Sequence, residues 1–300
     1  MFLAMTASSS PIKGCGTALL TPFKKDGSVD YDAYVKCVER QVGAGVDFLV
    51  PLGTTGETPC LSVEERREIL RLTRSCANGL PIVAGVGTNS LTGTLENIRS
   101  LEGVQPDAYL VVVPYYNKPT QEGLYEYFTA VADAAKRPVI LYNVPGRTGA
   151  NLAAETTLRL AAHPSIIAVK EASGNYSQIS TVIRNRPAGF TVLSGNDDET
   201  LSLMATGAEG VISVASNVAP AEMVALTHAL MRDDMTAARE FHYRLMPLFK
   251  NCFVESNPIP AKAAMAQLGL MENILRLPLV PATQKTESLM KETLAELWQK

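Results

Sequence analysis

Histidine is scarce in this chain, and several common sequence devices are missing from it. The 300 residues include three histidines, His163, His228 and His242, far apart along the sequence, and no zinc-ligand spacing runs through them. The five cysteines (Cys15, Cys37, Cys60, Cys76 and Cys252) are odd in number and contain no C-x-x-C. They point to reduced thiols and a cytoplasmic location rather than a disulfide framework. No lysine/arginine block exceeds two in a row and the net charge is −3, so neither a nucleic acid nor a membrane surface is suggested as a partner. No apolar run reaches the roughly 18 residues a membrane-spanning helix needs. The opening MFLAMTASSSPIK lacks the basic start and long apolar stretch of a signal peptide. A short disordered tail is expected over residues 1–11.

What the chain does have is a repeating unit. Short apolar runs occur at GTALL (16–20), VDFLV (46–50), PIVAGV (81–86), AYLVVV (108–113), PVILY (138–142), SIIAVK (165–170), FTVLSG (190–195) and GVISV (210–214). Each is apolar throughout rather than alternating, as in strands covered on both faces of a parallel sheet. Stretches of helical length lie between them. SVEERREILRLTRSCA (62–77) opens with a serine and a glutamate three residues on, a capping box, and QEGLYEYFTAVADAAK (121–136) has a similar period. Strand alternating with helix predicts βαβ units. Eight units in about 230 residues fit an α/β fold of the (β/α)8 TIM-barrel type, for which ~250 residues is typical. The competing fold, a doubly wound open sheet, would carry a glycine fingerprint after the first strand. TPFKKDG stands there instead. Beyond residue 218 the pattern is mostly helical, over about 219–231, 235–252, 259–269 and 284–298. The expectation is a barrel over 12–232 and a C-terminal helical extension over 233–300.

In a barrel the chemistry sits at the C-terminal ends of the strands. The unusual residues of this sequence fall there: GTTGE (53–57), PYYNKP (114–119), YNVPGRTG (142–149), GNDDE (195–199), SVASN (213–217), and Lys170 at the end of strand six. Lysine is rarely buried without a partner. A lysine inside the rim is partly desolvated, so a useful fraction can be the neutral amine that attacks a carbonyl and forms an imine. Taken alone, Lys170 better suits a structural role, paired with Glu171. Tyr142 ends the neighbouring strand, and its hydroxyl can move the protons that imine chemistry requires. Taken alone, it better suits an ordinary core tyrosine with a satisfied hydroxyl. The GTTGE turn exposes two hydroxyls and backbone N–H groups able to hold a carboxylate, or it is merely the lead into a helix. PYYNKP is a rigid aromatic loop suited to a site, to packing or to a subunit contact. Arg147 lies in a loop with Pro145, Gly146 and Gly149, and its fork suits bidentate binding of a carboxylate, or it is a surface arginine bracing the loop.

GTTGE, PYYNKP, YNVPGRTG, VKEASGN and GVISV, in this order and spacing, resemble the dihydrodipicolinate synthase/N-acetylneuraminate lyase family of class I aldolases. The resemblance covers about residues 12–280. It implies that Lys170 forms a Schiff base with pyruvate and that Tyr142 is the general acid/base. It implies a hydroxyl relay completed by Thr54 and by Tyr116, the latter entering from a neighbouring subunit of a homo-oligomer, a dimer of dimers. Thr55 would hold the pyruvate carboxylate, with Gly195 and Ile212 lining the pocket and Arg147 binding the second substrate. The implied reaction joins pyruvate to L-aspartate 4-semialdehyde, in lysine and diaminopimelate biosynthesis, with no metal or organic cofactor. Within the family, sialic acid and keto-deoxy-sugar lyases share the lysine and tyrosine, and Arg147 argues against them. From other classes, a non-catalytic 2-keto-acid binder would be marked by loss of Lys170, Tyr142 or Thr54, all present. A metal-dependent barrel enzyme would use Asp197, Asp198 and Glu199, but these acids precede a helix and N-terminal capping explains them better.

Overall fold

A computed structural model describes residues 12–298; the tail expected over 1–11 lies outside the described residues. All eight predicted strands are present: β1 (Gly14–Ala18), β2 (Phe48–Val50), β3 (Val83–Gly85), β4 (Ala108–Val112), β5 (Val139–Asn143), β6 (Ile166–Glu171), β7 (Thr191–Ser194) and β8 (Gly210–Ser213). Each pairs in parallel with its neighbour in the order β2-β1-β8-β7-β6-β5-β4-β3. A bridge between Leu49 and Ile82 joins the two ends, so the sheet closes into the barrel that the sequence pattern implies. The strand ends differ by one or two residues from the apolar runs. β1 starts at Gly14 because Gly14 and Cys15 already pair with Gly210 and Val211, which no run of large apolar residues could signal.

The helices between the strands are α1 (Tyr31–Ala44), α2 (Val63–Cys76), α3 (Leu91–Ser100), α4 (Gln121–Ala134), the single turn α5 (Pro145–Thr148), α6 (Ala154–Ala161), α7 (Tyr176–Asn185), α8 (Thr200–Ala205) and α9 (Pro220–Met231). The predicted capping box opens α2: Ser62 Oγ accepts from the Glu65 N–H and Glu65 Oε2 accepts from the Ser62 N–H. Three more helices follow, α10 (Met235–Asn251), α11 (Ile259–Gln267) and α12 (Gln284–Trp298). α10 packs on α9, and α12 lies against both α10 and α11.

Side chains separate by the period of two. One set points outward into the layer between sheet and helices. The other fills the barrel: Phe48, Val50, Leu110, Ile140, Ala168, Leu193 and Ile212. Burying each large aliphatic contributes about 1.5–3 kcal/mol. Two residues past Ile140 on β5 is Tyr142, and two past Ala168 on β6 is Lys170. Parity alone therefore aims both side chains inward at the C-terminal mouth.

Candidate functional site

Tyr142 and Lys170 are direct partners in the β5–β6 register. The Lys170 side chain is almost fully enclosed, the residue being 6% exposed, and its Nζ lies 4.3 Å from the centroid of the Tyr142 ring. Glu171, the carboxylate with which a structural lysine would pair, faces the other way, as the alternation of a strand requires. Its Oε1 accepts from Asn143 Nδ2 at 2.7 Å, and its Oε2 accepts from Ser173 Oγ and Gln178 Nε2, each at 3.2 Å. Burial pushes the Glu171 carboxyl up to about 7, with the Asn143, Gln178 and Ser173 hydrogen bonds opposing.

Space beside Lys170 comes from Gly195. A Cβ there would lie 3.1 Å from Lys170 Cε and 2.7 Å from the Ala172 Cβ, so any larger residue would crowd the amine. Lys170, Tyr142, Thr54, Thr55, Arg147, Gly195 and Asn257 line a small cavity of about 50 Å³, room for a few water-sized groups. Thr54, Tyr142 and Arg147 also line a larger cavity of about 540 Å³ that opens outward past Tyr115 and Arg66. An inner pocket holding the amine thus adjoins a roomier entrance.

Thr54 and Thr55 sit in a 3-10 turn, Thr54–Gly56. Thr55 is buried and its Oγ1 accepts from Asn257 Nδ2 at 3.0 Å, whereas Thr54 is exposed at the mouth. Arg147 projects from α5, the turn that starts with Pro145 and ends on Gly149 at a φ of 72°. Tyr116 stands apart: it is 88% exposed and lines neither cavity. Its backbone is left-handed, with a φ of 77°, a conformation that costs a non-glycine residue about 1–3 kcal/mol. Its N–H donates to the Thr148 carbonyl at 3.2 Å. The loop therefore holds the ring outward, away from the pocket of its own chain. Ile212 lies within the barrel interior alongside Leu193 and lines neither cavity.

Asn257 and Lys262 carry no local sequence signal, and Asp197 takes a role other than the expected ones. Asp197, weighed as a metal ligand or as a cap for its own helix, caps a different turn: its Oδ2 accepts from the Val214 and Ala215 N–H groups at 3.1 and 2.9 Å. Burial raises its carboxyl above the usual range. Asn257 and Lys262 come from the C-terminal part of the chain, 202 residues or more from the turn they serve. Lys262 is fully buried beside Glu57. Burial pulls its ammonium down to about 8 while Glu57 opposes the shift.

The arrangement offers an amine, a phenol, two threonine hydroxyls and a guanidinium around one pocket, a set able to form an imine with a keto acid and to move protons about it. Comparison with known proteins identifies the family. Residues 11–297 match the dihydrodipicolinate synthetase family. The chain is 49% identical over 288 residues to the 4-hydroxy-tetrahydrodipicolinate synthase of Phocaeicola vulgatus, covering 95% of this chain and 97% of that protein. The dihydrodipicolinate synthase structure from Thermotoga maritima superposes with a TM-score of 0.93 at 43% identity, covering 95% of this chain and 98% of that one. A structure described as the first monomeric dihydrodipicolinate synthase variant superposes with a TM-score of 0.93 at 43% identity, covering 95% and 96%. The chain belongs to the dihydrodipicolinate synthetase family.

Proposed function

We propose that this chain is a 4-hydroxy-tetrahydrodipicolinate synthase, a Schiff-base lyase that condenses pyruvate with L-aspartate 4-semialdehyde on the route to diaminopimelate and lysine. The carrying observation is the register pair Tyr142–Lys170, an enclosed amine beside a phenol at the mouth of the barrel. Lys170 Nζ attacks the ketone carbon of pyruvate, and Tyr142 supplies the proton with which the carbinolamine oxygen leaves as water. The imine is an electron sink, so a methyl proton departs and an enamine forms. Its carbon adds to the aldehyde of the second substrate. The substrate's own amine then attacks the imine carbon, closes the ring and releases Lys170. Thr55 holds the pyruvate carboxylate, Gly195 leaves room beside Lys170, Ile212 packs in the barrel interior, and Thr54 relays protons to Tyr142. The imine itself supplies the electron sink, so the cycle calls on no metal or organic cofactor. Five free cysteines suit a reducing, cytoplasmic setting; among the described residues no helix is long and apolar enough to cross a membrane.

The direct test assays pyruvate against a panel of aldehydes, including L-aspartate 4-semialdehyde, N-acetylmannosamine and neutral sugar aldehydes. Condensation only with a sugar aldehyde would overturn the assignment. Arg147 decides the choice of aldehyde in this reading, because the semialdehyde carries a carboxylate and a neutral sugar does not. Losing that charge-assisted contact costs about 1.5–3 kcal/mol, roughly ten- to hundredfold. Arg147→Leu is therefore expected to lower kcat/KM for the semialdehyde by that factor while pyruvate still traps on Lys170 under borohydride. Full retained activity would remove Arg147 from the site.

Tyr116 completes the relay from a neighbouring subunit in this reading, within a dimer of dimers. Its exposed ring, turned away from its own chain's pocket, supports that role. Mixing inactive Tyr116→Phe and Lys170→Ala subunits is expected to restore activity, because each mixed pair contains one site with both residues intact. No recovery, with subunit exchange verified by mass, would leave Tyr116 without a role across the interface.

A further inference from the structure

Glu57 ends the GTTGE turn in a backbone conformation that does not suit it. Its φ of 51° and ψ of 36° are left-handed, a region glycine enters freely and a side-chain-bearing residue only at a cost. The side chain is nevertheless fully buried, as is that of Lys262 on α11, whose Nζ lies 2.5 Å from Glu57 Oε1. The same Nζ donates to the Ile274 carbonyl at 2.8 Å and sits 4.1 Å from the centroid of the Phe23 ring. Glu57 Oε2 accepts from the Arg276 N–H at 3.1 Å. Arg276 in turn grips Glu65 on α2 through two nitrogens, at 2.7 and 2.6 Å.

A buried ion pair of this kind is often no more stabilising than well-packed apolar residues of similar volume. Stability alone does not account for it; geometry does. The chain from Asn257 to Lys262 reaches the turn twice. Asn257 ties down the Thr55 hydroxyl, and Lys262 ties down Glu57 two residues later. The Glu57 N–H closes the turn onto the Thr54 carbonyl at 3.1 Å, so a shift of Glu57 carries the backbone of Thr54 with it.

We propose that Lys262 is a positioning residue: through Glu57 it clamps the turn so that the Thr54 and Thr55 hydroxyls keep their places at the pocket. This rests on the reading that the turn holds pyruvate. It also gives the C-terminal helices a part in the chemistry, since α11 braces the site from behind without touching substrate.

The test is the double variant Glu57→Gln/Lys262→Met, which keeps both volumes and leaves no unpaired buried charge. Its thermal midpoint is measured first, then KM and kcat for both substrates and the pyruvate dependence of borohydride trapping on Lys170. The expected result is a midpoint close to the parent's with KM for pyruvate raised by about tenfold to a hundredfold, the range that a displacement of about 1 Å at a positioned group brings. KM for the semialdehyde moves less, because Arg147 lies on a separate turn. A parent-like midpoint with a parent-like pyruvate KM would make the pair purely structural and overturn the proposal. If the double variant does not fold, Glu57→Gln alone decides: a rise of about threefold or more in pyruvate KM supports the clamp, and no change overturns it. Failure of the parent itself to trap pyruvate on Lys170 would instead overturn the functional reading.

Discussion

Lys170→Met is expected to abolish turnover and to leave no pyruvate on the protein after borohydride reduction. Methionine approximates the length of lysine and suits a position that is 6% exposed, so the fold is kept while the nucleophile is lost. Without the imine there is no electron sink for the methyl proton, and the expected fall is roughly four orders of magnitude or more, as for other removed nucleophiles. In the parent protein, digestion after trapping is expected to place the reduced adduct on the peptide containing Lys170. Lys262 is an informative internal control. It is the more deeply buried of the two, but its amine is held by Glu57 and by the Ile274 carbonyl, and it faces neither cavity. An adduct on Lys262, or none at all, would end the Schiff-base mechanism.

The comparison of these two lysines shows what the sequence could reveal. Both interrupt apolar stretches: Ile166 to Val169 before Lys170, and Ile259 to Met265 around Lys262. Only Lys170 had an address. Eight apolar runs in alternation with helices specify a closed parallel barrel, and a barrel sends every strand's last residues to one mouth. Lys170 and Tyr142 could therefore be placed together from strand order and parity alone. Lys262 lies on a helix after the eighth unit, where no repeat says which way the chain turns. Its contact with Glu57 spans 205 residues and is set by how α11 docks, a tertiary event with no local pattern. Asn257 was hidden for the same reason.

Strand ends were misplaced where small residues do the pairing. Gly14 and Cys15 extend β1 because Gly210 opposite lets the two backbones come together, and the apolar-run criterion cannot detect glycine strands. Within the acidic run at 197–199, Asp197 departs from the expected capping role for a related reason. Capping was the right physics, but Asp197 serves the turn after β8, on the neighbouring strand, rather than its own helix. Spatial neighbours across a parallel sheet compete with sequence neighbours for every buried carboxylate, and here the spatial one won.

Tyr142→Phe is the most selective change available at this site, and it is expected to slow the enzyme by about 10²–10⁴-fold. Phenylalanine keeps the ring that packs in the barrel interior and faces Lys170 at 4.3 Å, so only the hydroxyl is lost. Within its own chain the two cavities hold no histidine that could replace it as the proton carrier: His228 is engaged with Asp47 at 2.9 Å, His163 lies near Asp133 at 3.1 Å, and His242 is packed against Phe249. Thr54 remains at the mouth, but a threonine hydroxyl is a far weaker acid than a phenol and can relay a proton only if it is given one. Imine formation and turnover should therefore fall together, since loss of water from the carbinolamine and later loss of the methyl proton both need a carrier. Rapid-quench borohydride trapping measures the first step and steady-state assay the second, with the thermal midpoint as a check on folding. A fall in turnover with imine formation untouched would confine Tyr142 to the later steps. If neither rate changes, the phenol carries no proton, and the relay must run through water and Thr54 instead.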